Sequence, residues 1–158
     1  MKLKGVEYED FLQYKHPSMY LIAPYCTFKC DKDAGQTVCQ NSHLAKSKII
    51  DVDMFQMINA YLHNPITKSV VIGGLEPFDS YDELFHFVKT FREVSDDTIV
   101  IYSGYNENEV QEQINQLSNY VNIIVKFGRF IPGQSAVYDE LLGVILASDN
   151  QYAKEISK

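Results

Sequence analysis

Residues 26–41 read Cys26-Thr-Phe-Lys-Cys30-Asp-Lys-Asp-Ala-Gly-Gln-Thr-Val-Cys39-Gln-Asn41. This stretch holds all 3 cysteines of the 158-residue chain. Disulfides consume cysteines in pairs, so a stapled secreted scaffold would leave one over. Three clustered thiolates suit another task. They can hold three corners of a cubane iron–sulfur cluster and leave the fourth iron open to a substrate, whereas a four-thiolate cluster only passes electrons. The same residues also admit a structural zinc site, with His43 as fourth ligand at Cys-x3-His spacing. The cysteines alone leave both open.

Working outward, Met19-Tyr-Leu-Ile-Ala23 is an apolar run stopped by Pro24, which predicts a buried strand feeding the cysteine loop. A ligand loop at the carboxyl end of a parallel strand is where α/β folds place their chemistry. Residues 1–18 are polar with scattered aromatics and read as an irregular or edge segment. Asp51 to His63 carries helical spacing, with Val52, Phe55, Ile58 and Leu62 near one face and Asp51 as cap. Ser69 to Gly73 is a β-branched strand running into Gly73-Gly74-Leu75-Glu76-Pro77. Ser80 and Glu83 form a capping-box pattern before a helix to about Val94. Thr98 to Tyr102 is a strand, Asn106 and Glu109 a second cap-like pair before a helix to about Leu117, and Val121 to Val125 a further strand. The segment 136–147 fits either helix or extended chain, and 147–151 is a polar turn.

Alternating strands and helices predict βαβ units and a parallel sheet. Four clear strands fall short of the eight in a closed barrel, so the expectation is an α/β fold: a partial (β/α) barrel with a mainly parallel sheet, in one domain spanning 1–158. The formal charge of −7 argues against a nucleic-acid surface. No apolar run approaches a membrane span, and the first ten residues lack the apolar core of a secretory signal. The expected location is cytoplasmic, where clustered thiols stay reduced.

Cys-x3-Cys, a third Cys and Gln40-Asn41 together resemble the cluster loop of radical SAM enzymes, and within them the small activating proteins of anaerobic (class III) ribonucleotide reductases. The family spacing is Cys-x3-Cys-x2-Cys; here the second gap is eight residues. Gly73-Gly74-Leu75-Glu76-Pro77 resembles the family's Gly-Gly-Glu-Pro motif with Leu75 added. Tyr102-Ser103-Gly104-Tyr105 is similar to its Trp-Thr-Gly-Tyr segment. Gly128-Arg129-Phe130 resembles its Asp-Gly-Lys/Arg-Phe segment, with Phe127 in place of the aspartate. Ser148-Asp149-Asn150-Gln151 resembles its near-terminal Ser-Ser-Asn-Gln. The order of these five places from residue 22 to residue 151 is the strong part of the resemblance.

The resemblance implies Cys26, Cys30 and Cys39 as ligands of a 4Fe-4S cluster. It implies Val38, Asn41, Gly73, Gly74, Glu76 and Ser103 as contacts of S-adenosylmethionine, Val38 lying near the adenine. No side chain is expected to act as acid or base, since the cofactors carry the reaction. The implied activity is reductive cleavage of S-adenosylmethionine to a 5′-deoxyadenosyl radical and formation of a glycyl radical on an anaerobic ribonucleotide reductase. A small electron-donor protein is the other implied partner. A radical SAM enzyme with another substrate and the Cys3His zinc domain are the alternatives. The six additional residues of the second gap, polar and including Asp31, Asp33, Gly35 and Gln36, are expected to bulge outward. His16, His63 and His86 are read as surface residues, and Lys46 and Lys48 as a solvated edge.

Overall fold

The computed structural model describes residues 1–157. In chain order the elements are β1 (Lys2–Leu3), β2 (Gly5–Asp10), β3 (Ser18–Ile22), α1 (Lys29–Ala34), β4 (Ile50–Asp51), α2 (Met54–His63), β5 (Ser69–Gly73) and α3 (Tyr81–Arg92). They continue with β6 (Thr98–Tyr102), α4 (Gln111–Leu117), β7 (Ile123–Phe127), β8 (Val137–Asp139), β9 (Val144–Leu146) and β10 (Tyr152–Glu155). The main sheet has six strands in the order β10-β7-β6-β5-β3-β2. Its four central strands are parallel and lie side by side in the order in which they occur along the chain. An antiparallel strand closes each edge: β2 beside β3, and β10 beside β7. The fold is therefore α/β with a mixed sheet.

Side-chain alternation explains why both faces are covered. Met19, Leu21, Val70, Ile72, Ile99, Ile101, Ile123 and Val125 point to one face, where they form the larger core with α2, α3 and α4. The intervening Val71, Val100 and Ile124 point to the other face and pack with Tyr14, Leu142 and Leu146. Helices thus lie on one side only, the outcome of successive right-handed crossovers that all advance the same way along the sheet. The opposite side is left to irregular chain and the β8–β9 hairpin, and there it opens into a cavity.

Several local expectations change. The cap of α2 is Asp53, whose carboxylate accepts the Gln56 N–H at 3.0 Å, while Asp51 pairs with Lys2 in β4. The later start turns a different stripe inward: Met54, Met57, Ile58 and Tyr61 are buried, whereas Phe55 and Leu62 are exposed. Both stripes contain Ile58, so spacing alone did not separate them. Ser80 makes no side-chain cap to α3: its hydroxyl donates to the Pro77 carbonyl at 3.4 Å, and Glu83 accepts the Lys2 N–H at 2.6 Å. The Asn106–Glu109 capping box does form, on a 3₁₀ turn ahead of α4. Strand β7 begins at Ile123 because Asn122 takes a left-handed conformation, φ 53°. The segment 136–147 is extended, as the β8–β9 hairpin. Among the described residues no helix is long and apolar enough to cross a membrane.

Candidate functional site

Strand β3 delivers the chain to the carboxyl ends of its parallel neighbours. Ala23 donates its N–H to the Gly73 carbonyl at 2.8 Å, and the Tyr25 carbonyl accepts the Glu76 N–H at 2.9 Å. The Thr27 N–H then meets the Asp79 carboxylate at 2.6 Å. These three bonds dock the cysteine loop against the segment that follows β5. Phe28, left-handed at φ 50°, turns the chain into α1, and Gly35, left-handed at φ 66°, ends that helix. The Asp31 carboxylate accepts the N–H groups of Val38 and Cys39, each at 2.8 Å. The additional residues therefore stand outward, as expected, with residues 32–37 exposed, but as a helical turn tied down at both ends and not as loose chain. Its outer side is held by ion pairs: Asp33 with Arg129 at 2.9 Å, and Lys29 with Glu109, which also takes Arg129 at 2.6 Å.

Cys26, Cys30 and Cys39 are free, half-buried, and line one cavity of about 300 Å³. That is the lower end of the range for small-ligand sites, about 300–1,000 Å³. Burial pushes the Cys26 thiol up to about 12, with Glu76 and Asp79 adding to it. Burial and then the Cys39 and Asp31 charges push Cys30 up to about 11. Without a cation the Cys26 and Cys30 thiols are held protonated; metal binding must displace their protons.

The cavity floor is polar. One oxygen of Glu76 accepts the Phe78 N–H at 3.1 Å and the Ser103 hydroxyl at 2.9 Å; the other accepts the Gly104 N–H at 2.8 Å. Burial nonetheless raises its carboxyl to about 7, against those three donors. Lys126 is buried on the same floor, its ammonium donating to the Gly128 carbonyl at 2.8 Å and the Ser103 carbonyl at 3.3 Å. Among the described residues no carboxylate stands within ion-pair distance of it, so burial lowers it to about 8. Gly74, φ 79°, is where a side chain cannot be accommodated. A Cβ there would lie 2.7 Å from Ile22 Cγ2, 3.1 Å from the Tyr20 hydroxyl and 3.2 Å from Leu44 Cδ1.

Of the residues singled out from the sequence, the three cysteines, Asn41, Gly74, Glu76 and Ser103 line the cavity; Val38 and Gly73 do not. The Ser103 hydroxyl is committed to Glu76 and to the Tyr105 N–H, so its side chain is engaged within the protein. His43 is exposed and outside the cavity, so it is not brought to the thiols as a zinc ligand. Among the described residues no group of three His, Cys, Asp or Glu side chains encloses a single ion. His16, His63, His86, Lys46 and Lys48 are exposed. Sequence reasoning missed Lys126 and Tyr20, both on the inward face of the sheet and both lining the cavity. A lysine inside the apolar run Ile123-Ile-Val-Lys-Phe127 was the available signal.

Three soft thiol donors on one cavity, with space beside them, fit an iron–sulfur cluster that leaves one iron without a protein ligand. The class is that of iron–sulfur proteins. The chain belongs to the family described as 4Fe-4S single cluster domain, whose model matches residues 18–151. No curated protein and no solved structure matches the chain.

Proposed function

We propose that the chain is a radical SAM activating enzyme. In this reading Cys26, Cys30 and Cys39 hold a 4Fe-4S cluster, S-adenosylmethionine binds in the adjoining cavity, and the target is a backbone glycine of an anaerobic ribonucleotide reductase. The observation that carries it is that three free thiols line one cavity with a buried lysine on its floor. When bound, the cluster supplies one electron to the sulfonium of S-adenosylmethionine, giving methionine and a 5′-deoxyadenosyl radical that takes a hydrogen atom from the glycine.

The chain's own residues supply position and shelter. Gly74 lines the cavity, and its left-handed turn packs Ile22, Tyr20 and Leu44 against the place where a side chain would stand, which shapes the wall the ligand meets. Lys126 offers a desolvated ammonium to the ligand carboxylate, a charge-assisted contact stronger than one in water. Glu76 ties the ends of β5 and β6 through Ser103 and Gly104, which fixes the floor. The one-sided sheet is read as a partial barrel of the radical SAM type, with Leu12 and Ile145, both largely exposed, at the rim of the cavity. A partner's loop enters across that rim, and a small electron-donor protein reduces the site in the cytoplasm.

The test mixes the reconstituted protein anaerobically with the class III ribonucleotide reductase of the same genome, S-adenosylmethionine and a reductant. A glycyl doublet in the electron paramagnetic resonance spectrum is expected. Cleavage of S-adenosylmethionine without a doublet would remove the activase role and leave a radical SAM enzyme with another substrate.

A further inference from the structure

We infer that Asp31 is the positioning residue that returns Cys39 to the side of Cys30, so that an eight-residue gap does the work of a two-residue one. The inference rests on the cysteines being the cluster ligands, and not on S-adenosylmethionine. The chain leaves Cys30 along α1, and the four steps from there to Ala34 reach about 6 Å at about 1.5 Å each. Gly35 then reverses it, with nothing within 4 Å of where its Cβ would stand. Residues 36–39, a bend and irregular chain, could cover at most about 13 Å at about 3.3 Å each. The return segment is thus long enough to span the outward path, and the loop can close.

Closure needs something at the meeting point, because α1 has no buried residue to anchor it. That something is one oxygen of Asp31, which accepts two successive backbone N–H groups, Val38 and Cys39, at 2.8 Å each. The Cys30 thiol lies 3.8 Å from the same oxygen. A carboxylate next to one ligand cysteine thus grips the backbone of another. The ion pairs of Lys29 and Asp33 hold the outside of α1 to the strand-end loops, and they do not touch Cys39.

The test begins with the full chain free of iron. Diamide takes two electrons and two protons from a neighbouring thiol pair, and peptide mass mapping follows the Cys30–Cys39 disulfide. Asp31→Asn, whose amide oxygen still accepts both N–H groups while the loss of its charge eases the Cys30 thiol, should react at least as fast as wild type. Asp31→Ala should react about tenfold more slowly, the factor expected when a charge-assisted hydrogen bond is lost. Deleting residues 32–37 in the Asp31→Ala chain leaves a two-residue gap and should restore the rate; Asp33→Ala should not change it. Circular dichroism checks folding, and the deletion variant decides the matter if Asp31→Ala alone is unfolded. Iron and sulfide contents after anaerobic reconstitution should rank the same way. Wild-type reaction rates in Asp31→Ala, or a deletion that rescues nothing, overturn the inference. If the thiol ranking holds while wild type takes up no iron, the ligand assignment fails and the positioning role stands.

Discussion

Replacing Lys126 by Met separates a ligand-binding cation from a structural strap. The ammonium is buried with no carboxylate at ion-pair distance among the described residues, and burial, only partly offset by the Glu76 charge, takes its ordinary value of 10.5 down to about 8. At about 1.36 kcal/mol for each pH unit, holding it charged costs the fold about 3 kcal/mol at pH 7. Lys126→Met removes that cost. It also strips a donor from two carbonyls, of which Gly128 keeps the Gln151 amide at 3.1 Å and Ser103 loses its only side-chain donor among the described residues. An orphaned buried carbonyl costs about 1–3 kcal/mol, so the two effects offset and stability at pH 7 should stay within about 2 kcal/mol of wild type. Between pH 8 and 10.5 the unfolded lysine keeps a proton that the folded one has lost. Wild-type stability should rise through that window, and the variant should lack the rise. Binding should behave differently: loss of a charge-assisted bond of about 1.5–3 kcal/mol weakens S-adenosylmethionine about ten- to a hundredfold. Urea unfolding at several pH values and anaerobic calorimetry measure the two quantities. A variant destabilised by more than about 4 kcal/mol whose folded fraction binds S-adenosylmethionine normally would refute the reasoning.

Gly74→Val should both strain the backbone at φ 79° and collide with Ile22 and Tyr20; a loss of about 2–5 kcal/mol in urea unfolding is expected. Cys26→Ser, Cys30→Ser and Cys39→Ser should each abolish the iron and sulfide taken up on reconstitution, while His43→Ala should keep both. Equal iron loss in His43→Ala would restore the zinc-type ligand set. Because burial holds Cys26 and Cys30 protonated, with values of about 12 and 11, cluster assembly should release protons and proceed faster at pH 8.5 than at pH 7; a pH-independent rate of assembly contradicts the assignment.

The parallel centre of the sheet was legible because its strands are short β-branched runs between turn residues, and Val70 to Ile72 or Ile99 to Ile101 admit little else. The C-terminal strands were not. β8, β9 and β10 have three, three and four residues of mixed polarity, too few for a period to show, and they are held by pairing with distant chain. Helix α1 was hidden for a related reason. Its residues Lys29 to Ala34 are polar and bury nothing; partners eighty and more residues away, Glu109 and Arg129, secure it. At the site, Gly74, Glu76 and Ser103 were found because they stand at strand ends, where topology fixes position. Val38 and Gly73 fell outside the cavity because spacing along a loop does not give its path. Lys126 was readable in principle: β7 alternates, and a charge on its inward face has to meet something polar.

The most direct measurement is of S-adenosylmethionine itself. The full chain, reconstituted anaerobically with iron and sulfide, is incubated with S-adenosylmethionine and dithionite, and products are separated by liquid chromatography with mass detection. The expected result is 5′-deoxyadenosine and methionine in equal amounts, absent from the Cys39→Ser chain. A fully iron-loaded protein that leaves S-adenosylmethionine intact would contradict the account.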